Sequence, residues 1–321
     1  MKLSIPVSAG PLRSELAALT RIMNESLPGE PQTPHVYHYT SIDGLLGILE
    51  SRVLRATDVT YMNDTSEYSY ACGVAEHVIS KLKGELPALA GFAQPPWAVH
   101  TSQGGKVYAA CFCETGDLLS QWRAYSDRGV GYAIEFPLER LSAMIDRACG
   151  WAAIGRVYYD EHEQKEILTR VARTALEARV SDAEDEAPTT LNELMEDTPD
   201  KLLDRDRLLA FHRVINNFVI SLSTTLPFLK SPAFYQEQEW RISVMAAGLS
   251  EKFRPSNGLL IPYSEIPLGE PPQQLPITRI MIGPNPHPRQ AEDSLKRFLE
   301  SKGLSYIQVD VSPIPVSLTN K

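Results

Sequence analysis

Cysteine is scarce in this chain: four residues, Cys72, Cys111, Cys113 and Cys149, among 321. That is too few and too scattered for a disulfide framework, so free thiols and a cytoplasmic setting are expected. Cys111-x-Cys113 is one residue tighter than the Cys-x2-Cys of a zinc knuckle, and no second pair follows it. The seven histidines are scattered and form no His-Glu-x2-His pattern. No metal site is expected. No run approaches the ~20 apolar residues of a membrane span. Met1 to Gly10 has too short an apolar core for a secretory signal. Also missing are a Gly-x-Ser-x-Gly elbow, a papain-type cysteine signature and the glycine-rich phosphate loops Gly-x-Gly-x2-Gly and Gly-x4-Gly-Lys. Their absence argues against the common hydrolase and nucleotide-binding folds.

Basic surplus is missing too. The net charge is −9, and Ser181 to Asp200 holds eight acids and no base, so the rest of the chain carries only −9 − (−8) = −1. The acidity belongs to one segment, expected to be an exposed loop, and a generally basic nucleic-acid-binding surface is not expected. Hydrophobic residues at 43% and charged residues at 22% suit an ordinary globular protein, and a chain of 321 residues can bury a large core and permits one large domain or two.

What is present begins at Tyr37-His38-Tyr39-Thr40-Ser41. Val36, His38 and Thr40 share one face of a short strand, because side chains alternate with period two. Ser41 is placed to cap a helix carrying Ile42, Leu45, Leu46, Ile48 and Leu49 at helical spacing, with Asp43 at its positive end. His38 there reads equally as a site residue or as a hydrogen-bonded core histidine.

Elsewhere, helices are expected at 11–27, 67–83, 139–149, 163–179, 201–225 and 290–302. Strands are expected at 107–114, 132–136, 242–246, 258–262, 277–282 and 306–311, with a short one near 156–159. Residues 84–105 read as a loop. The block from 138 to 229 reads as a helical insertion within a single domain spanning 1–321, because β patterning resumes after it.

A polar set is distributed over these elements: His38 and Thr40; Glu114; Gln121, Trp122, Arg123 and Tyr125; Glu237, Glu239 and Arg241. If a strand begins at 237, its two carboxylates and the arginine point the same way. That pattern reads either as an exposed edge with Glu–Arg pairs or as the wall of a cleft.

These motifs carry a resemblance. Tyr-His-Tyr-Thr-Ser with its helix, Met62-Asn63-Asp64 with Glu67, Ser120-Gln-Trp-Arg-x-Tyr125, Glu237-x-Glu-Trp-Arg241 and Ile282-Gly-Pro284 resemble a bacterial domain of unknown function, DUF2971, over roughly 35 to 285. That family is in turn distantly similar to the ADP-ribosyltransferase superfamily. The resemblance implies an α+β fold with an ADP-ribosyltransferase-like split β core. It implies transfer of ADP-ribose from NAD to a macromolecular acceptor, protein or nucleic acid, in the kind of family that includes toxins and anti-phage effectors.

Carried over residue by residue, His38 and Thr40 match the first-strand His-x-Thr, with Tyr39 where glycine is more usual. Glu239 matches the catalytic Glu, and Glu237 the acidic or Gln residue two positions before it. Cys111-Phe-Cys113 stands where a Ser-containing strand is common. Tyr125 and Trp122 are candidates to stack on nicotinamide, and Arg241 to assist binding. The chemistry suits these types: cleaving nicotinamide from ribose develops oxocarbenium character, which a carboxylate stabilises. The alternatives are a non-catalytic nucleotide- or partner-binding module of the same fold, an NAD hydrolase, or a nucleic-acid phosphotransferase.

Overall fold

The structure is a computed structural model that describes residues 33–62, 65–85, 106–125, 130–148, 151–177, 218–245, 250–256 and 258–315. The helix expected at 11–27, the loop at 86–105 and the acidic segment 181–200 lie outside the described residues.

The strand–helix unit forms as its sequence dictates. Strand β1 (His35–Thr40) runs into helix α1 (Ile42–Ser51), where the Ser41 hydroxyl accepts the Gly44 amide at 3.2 Å. Capping of this kind satisfies one of the amides that a helix start leaves unpaired. Leu45, Ile48 and Leu49 are buried, whereas Ile42 stays exposed on the first turn. The helix stops at Arg52, which takes a left-handed conformation (φ 58) and donates its amide to Ile48 at 2.9 Å. Its guanidinium donates to the carbonyls of Gly269 and Gln273, which holds a non-glycine residue in that region.

Strand β2 (Val53–Asp58) follows, where the sequence signalled no element, and leads through a turn into helix α2 (Thr65–Glu85). Next come β3 (Val107–Cys113), the short helix α3 (Leu119–Tyr125), β4 (Tyr132–Pro137), helix α4 (Leu138–Ala148), β5 (Trp151–Arg156) and helix α5 (Glu161–Glu177). A helical segment occupies 218–225. Two 3-10 turns, Leu226–Phe228 and Pro232–Glu237, then deliver the chain to β6 (Glu239–Met245). The hairpin β7 (Lys252–Ser256) and β8 (Leu259–Pro267) precedes β9 (Arg279–Ile282), helix α6 (Pro288–Ser301) and β10 (Gln308–Val311).

The ten strands form one mixed sheet in the order β10-β9-β4-β1-β3-β2-β8-β7, with β6 against β3 and β5 outside β6. Among the described strands only β9 and β10 pair in parallel; the other pairs are antiparallel. Strand β3 is the hinge of this arrangement. Strand β6 pairs with it along all of Val107 to Cys113, which occupies one edge. The other edge is shared: β2 takes it at Tyr108 and Ala109, and β1 takes it at Cys113. The two partners diverge in between.

Side chains alternate across this sheet and build a core on each face. Tyr108, Ala110 and Phe112 join α1, α4 and α6 on one side. Val107 and Ala109 join α2, α5 and residues 218–229 on the other. The 138–229 block therefore does more than add helices beside a sheet. Its α4 and α5 cover opposite faces, and its β5 extends the sheet as the partner of β6. The short strand expected near 156–159 is β5, five residues earlier, and Tyr158 makes only a single bridge to Leu229.

Candidate functional site

The divergence of β1 and β2 along β3 opens a cleft of about 360 Å³, counting its open mouth. It is lined by Tyr37, His38 and Tyr39 of β1, Cys111 and Phe112 of β3, Gln121 and Tyr125 of α3, and Glu237 and Glu239. His38, Tyr39, Tyr125, Glu237 and Glu239, drawn from three separate stretches of sequence pattern and motif, thus meet in one place. Thr40, Trp122 and Arg241 do not line it.

His38 sits where β1 leaves β3. Its Nδ1 lies 2.9 Å from the Cys111 carbonyl, in the place of a ladder hydrogen bond. A carbonyl only accepts, so Nδ1 carries the proton and Nε2 is an acceptor. Burial holds the imidazole below its ordinary pKa against the opposing effect of that hydrogen bond, which keeps the ring neutral. Its ring also packs against Phe112 at 5.6 Å.

Tyr39, which stands where the first-strand motif more usually has glycine, lines the cleft and also braces the backbone beside it. Its hydroxyl donates to the Thr115 carbonyl at 2.8 Å and accepts the Leu118 amide at 3.0 Å, pinning the loop that precedes α3. Trp122 packs edge-on against it, 4.6 Å between centroids, and donates Nε1–H to Asp117 at 2.8 Å. Trp122 is 1% exposed, so its face is used inside the protein and is not offered for stacking on a ligand. Of the two aromatics expected to stack on nicotinamide, it is Tyr125, at the exposed end of α3, that lines the cleft.

The expected strand from 237 is corrected by the backbone. Glu237 ends a 3-10 turn, Gln238 takes a left-handed conformation (φ 42), and β6 begins only at Glu239. Period-two alternation therefore does not relate Glu237 to Glu239. A buried lysine does. Lys230 Nζ lies 2.8 Å from Glu237, 3.1 Å from Glu239 and 2.8 Å from Glu67 on α2. It also sits 4.9 Å above the Phe234 ring.

Arg241 completes the network. It donates Nε–H to one Glu239 oxygen at 2.8 Å and Nη2–H to the other at 2.7 Å, and it also reaches Glu67 at 2.8 Å and the Pro227 carbonyl at 2.7 Å. Three carboxylates thus face two cations, leaving a formal −1. Burial pushes the Glu239 carboxyl up, but Arg241 and Lys230 outweigh it and hold the pKa down at about 2. Glu237 is the most exposed of the three acids, its side chain 30% open, and Lys230 is its one cation among the described residues.

Lys230 carried no sequence signal, since it stands alone between Leu229 and Ser231. Glu67 was visible only as the end of the Met62-Asn63-Asp64 motif. Glu114, the remaining member of the polar set, accepts the Trp240 indole N–H at 2.7 Å and braces β6 from outside the cleft. Cys111 and Cys113 are free thiols, and burial pushes both above the ordinary thiol pKa. Among the described residues no cluster of His, Cys, Asp and Glu is arranged to hold a metal ion, and no helix is long and apolar enough to cross a membrane.

No curated protein and no solved structure matches this chain. One family model does, over a shorter span than the motifs suggested, and that span carries α3, the 3-10 turns and the start of β6. Residues 121–242 match DUF2971, a protein of unknown function.

Proposed function

We propose that the cleft takes the nicotinamide-ribose end of NAD and that the protein transfers ADP-ribose to a macromolecular acceptor. The observation that carries this reading is the convergence of His38, Tyr125, Glu237 and Glu239 on one cleft. The shared edge of β3, opened between β1 and β2, supports the split β core that such a reading calls for. Charge supports it as well. A surplus of one carboxylate beside the Tyr37, Tyr39 and Tyr125 rings suits a flat, positively charged pyridinium.

In the proposed reaction the bond between the nicotinamide nitrogen and ribose C1′ breaks, and its electron pair leaves with nicotinamide. Positive charge develops on the ribose, where the Glu237–Glu239 pair stabilises it. An acceptor nucleophile then bonds to C1′ and loses its proton to solvent water. His38 Nε2, held as an acceptor by the Cys111 contact, takes a hydrogen bond from a ribose hydroxyl. Of the two carboxylates, Glu237 is freer to meet the ribose, because both Glu239 oxygens are already engaged by Arg241.

That engagement favours a second reading, a non-catalytic NAD-binding module of the same fold. Nicotinamide release from NAD, with cell lysate as acceptor source, separates the two when NAD binding is followed by calorimetry on the same samples. The transferase reading expects Glu237→Gln and Glu239→Gln to lower turnover about a hundred- to a thousandfold with binding largely kept. Binding without release by the wild type selects the module. Release that does not depend on lysate selects NAD hydrolysis, and a wild type that does not bind NAD ends both leading readings.

A further inference from the structure

Gln121 is a polar cleft residue to which neither the carried-over motifs nor the charge network gives a task. It sits on α3, 7% exposed, with its side chain on the cleft. Among the described residues its amide makes no hydrogen bond. Polar groups in such enclosed settings are almost always paired, so the unpaired amide of a residue more than nine-tenths buried and bordering a cleft points to a partner that enters from outside.

We infer that Gln121 reads the carboxamide of the ligand's ring, which makes it the specificity-determining residue of the cleft. This rests on the NAD reading above and names what selects the ring. A primary amide offers one carbonyl acceptor and two N–H donors, the complement of another primary amide. Two antiparallel N–H···O bonds between Gln121 and the nicotinamide carboxamide satisfy both groups whichever way the glutamine amide is turned. The other cleft groups do not supply this pairing. His38 presents a single acceptor, Glu237 and Glu239 only accept, and the Tyr37 and Tyr39 hydroxyls are committed to Glu135 and to the Thr115 and Leu118 backbone. A ring with a carbonyl but no amide N–H₂ leaves the Gln121 oxygen unpaired in the cleft, and sites built this way reject such analogues.

The test compares NAD with its 3-acetylpyridine analogue, which keeps the ring charge and the carbonyl and replaces the amide nitrogen with a methyl group. Affinities are measured by calorimetry on the full-length wild type, Gln121→Leu and Gln121→Met. The wild type is expected to bind NAD about tenfold more tightly than the analogue, the ratio for one unmade hydrogen bond in a buried site. In both variants NAD falls to the level of the analogue and the ratio approaches one. Equal wild-type affinities for the two dinucleotides overturn the assignment of Gln121 and leave the NAD reading standing. So does a tenfold preference that persists in the variants. A wild type that binds neither removes both. The wild-type comparison needs no substitution, so it decides the matter even if both variants unfold.

Discussion

At the scale of single residues, the charge network is where most of the local free energy is at stake. Arg241 is 2% exposed and bonds two carboxylates and a backbone carbonyl. Removing one partner of a buried ion pair leaves the others charged, desolvated and unpaired. Arg241→Leu is therefore expected to cost about 3–5 kcal/mol in urea unfolding. Arg241→Lys is expected to recover little of it, because an ammonium lacks the planar fork that grips both oxygens of Glu239. A loss below about 1 kcal/mol in the leucine variant would show that Lys230 alone holds Glu67 and Glu239 in place. The same geometry refines the functional test, since Glu239→Gln disturbs Arg241 as well as any ribose. Glu237→Gln touches Lys230 alone among the described cations and gives the cleaner measure of electrostatic catalysis.

At the scale of elements, α3 is held against the end of β9 by close packing that excludes a methyl group. A Cβ built on Gly283 would stand 2.9 Å from Trp122 Cε3 and 3.1 Å from the Gly131 carbonyl oxygen. Gly283 also donates its amide to that carbonyl at 2.8 Å, so the backbone there has little room to shift. The Ile282-Gly-Pro284 and Gln121-Trp122 motifs, far apart in sequence, are thus two sides of one contact. Gly283→Ala is expected to destabilise the fold by about 1–3 kcal/mol, the usual cost of overpacking. It should also displace α3, and with it Gln121 and Tyr125, so weaker NAD binding should accompany the lower melting temperature. An unchanged melting temperature would mean that α3 moves without resistance and that the contact does not position the cleft.

At the scale of the whole molecule, stability should vary with pH in steps set by buried titratable groups. His38 has a lowered folded pKa, so its contribution is full above the ordinary value of 6.5 and is lost as pH falls below it. Glu239 is depressed from 4.5 to about 2, so its contribution is full above 4.5 and drains away as pH falls toward 2. Lys230 is shifted the other way: burial lowers its pKa, but the surrounding carboxylates raise it above 10.5, so its contribution is lost as pH rises past that value. Together with the buried thiols Cys111 and Cys113, whose raised pKa withdraws stability as pH passes 9.0, they predict a plateau from about 6.5 to 9 in unfolding free energy. His38→Gln, which keeps a donor for the Cys111 carbonyl, should erase the first acidic step and leave the later decline. Persistence of that step in the variant would assign it to another group.

Local pattern alone specified the β1–α1 unit, the cap at Ser41, the apolar run of β3, the final helix and strand, and the concentration of acid in 181–200. Each depends on neighbours a few residues away, through periodicity, capping or composition. It also picked out five residues of the cleft, though for Glu237 by a strand that does not begin until Glu239. Strands β2 and β7 left little trace, because the turn-like and charged residues around them obscure a period of two. What only tertiary structure decided is which charges meet. Arg241 finds Glu67 across 174 residues, and Lys230 joins three acids from three different elements. No spacing rule encodes such pairs, since they arise where segments return to the same point after the sheet has formed. Trp122 and Tyr39 illustrate the same limit from the other side. Their types suit a ligand site, yet burial turns the indole inward and commits the phenol to the backbone, because tight packing and hydrogen-bond satisfaction inside the fold use those groups first.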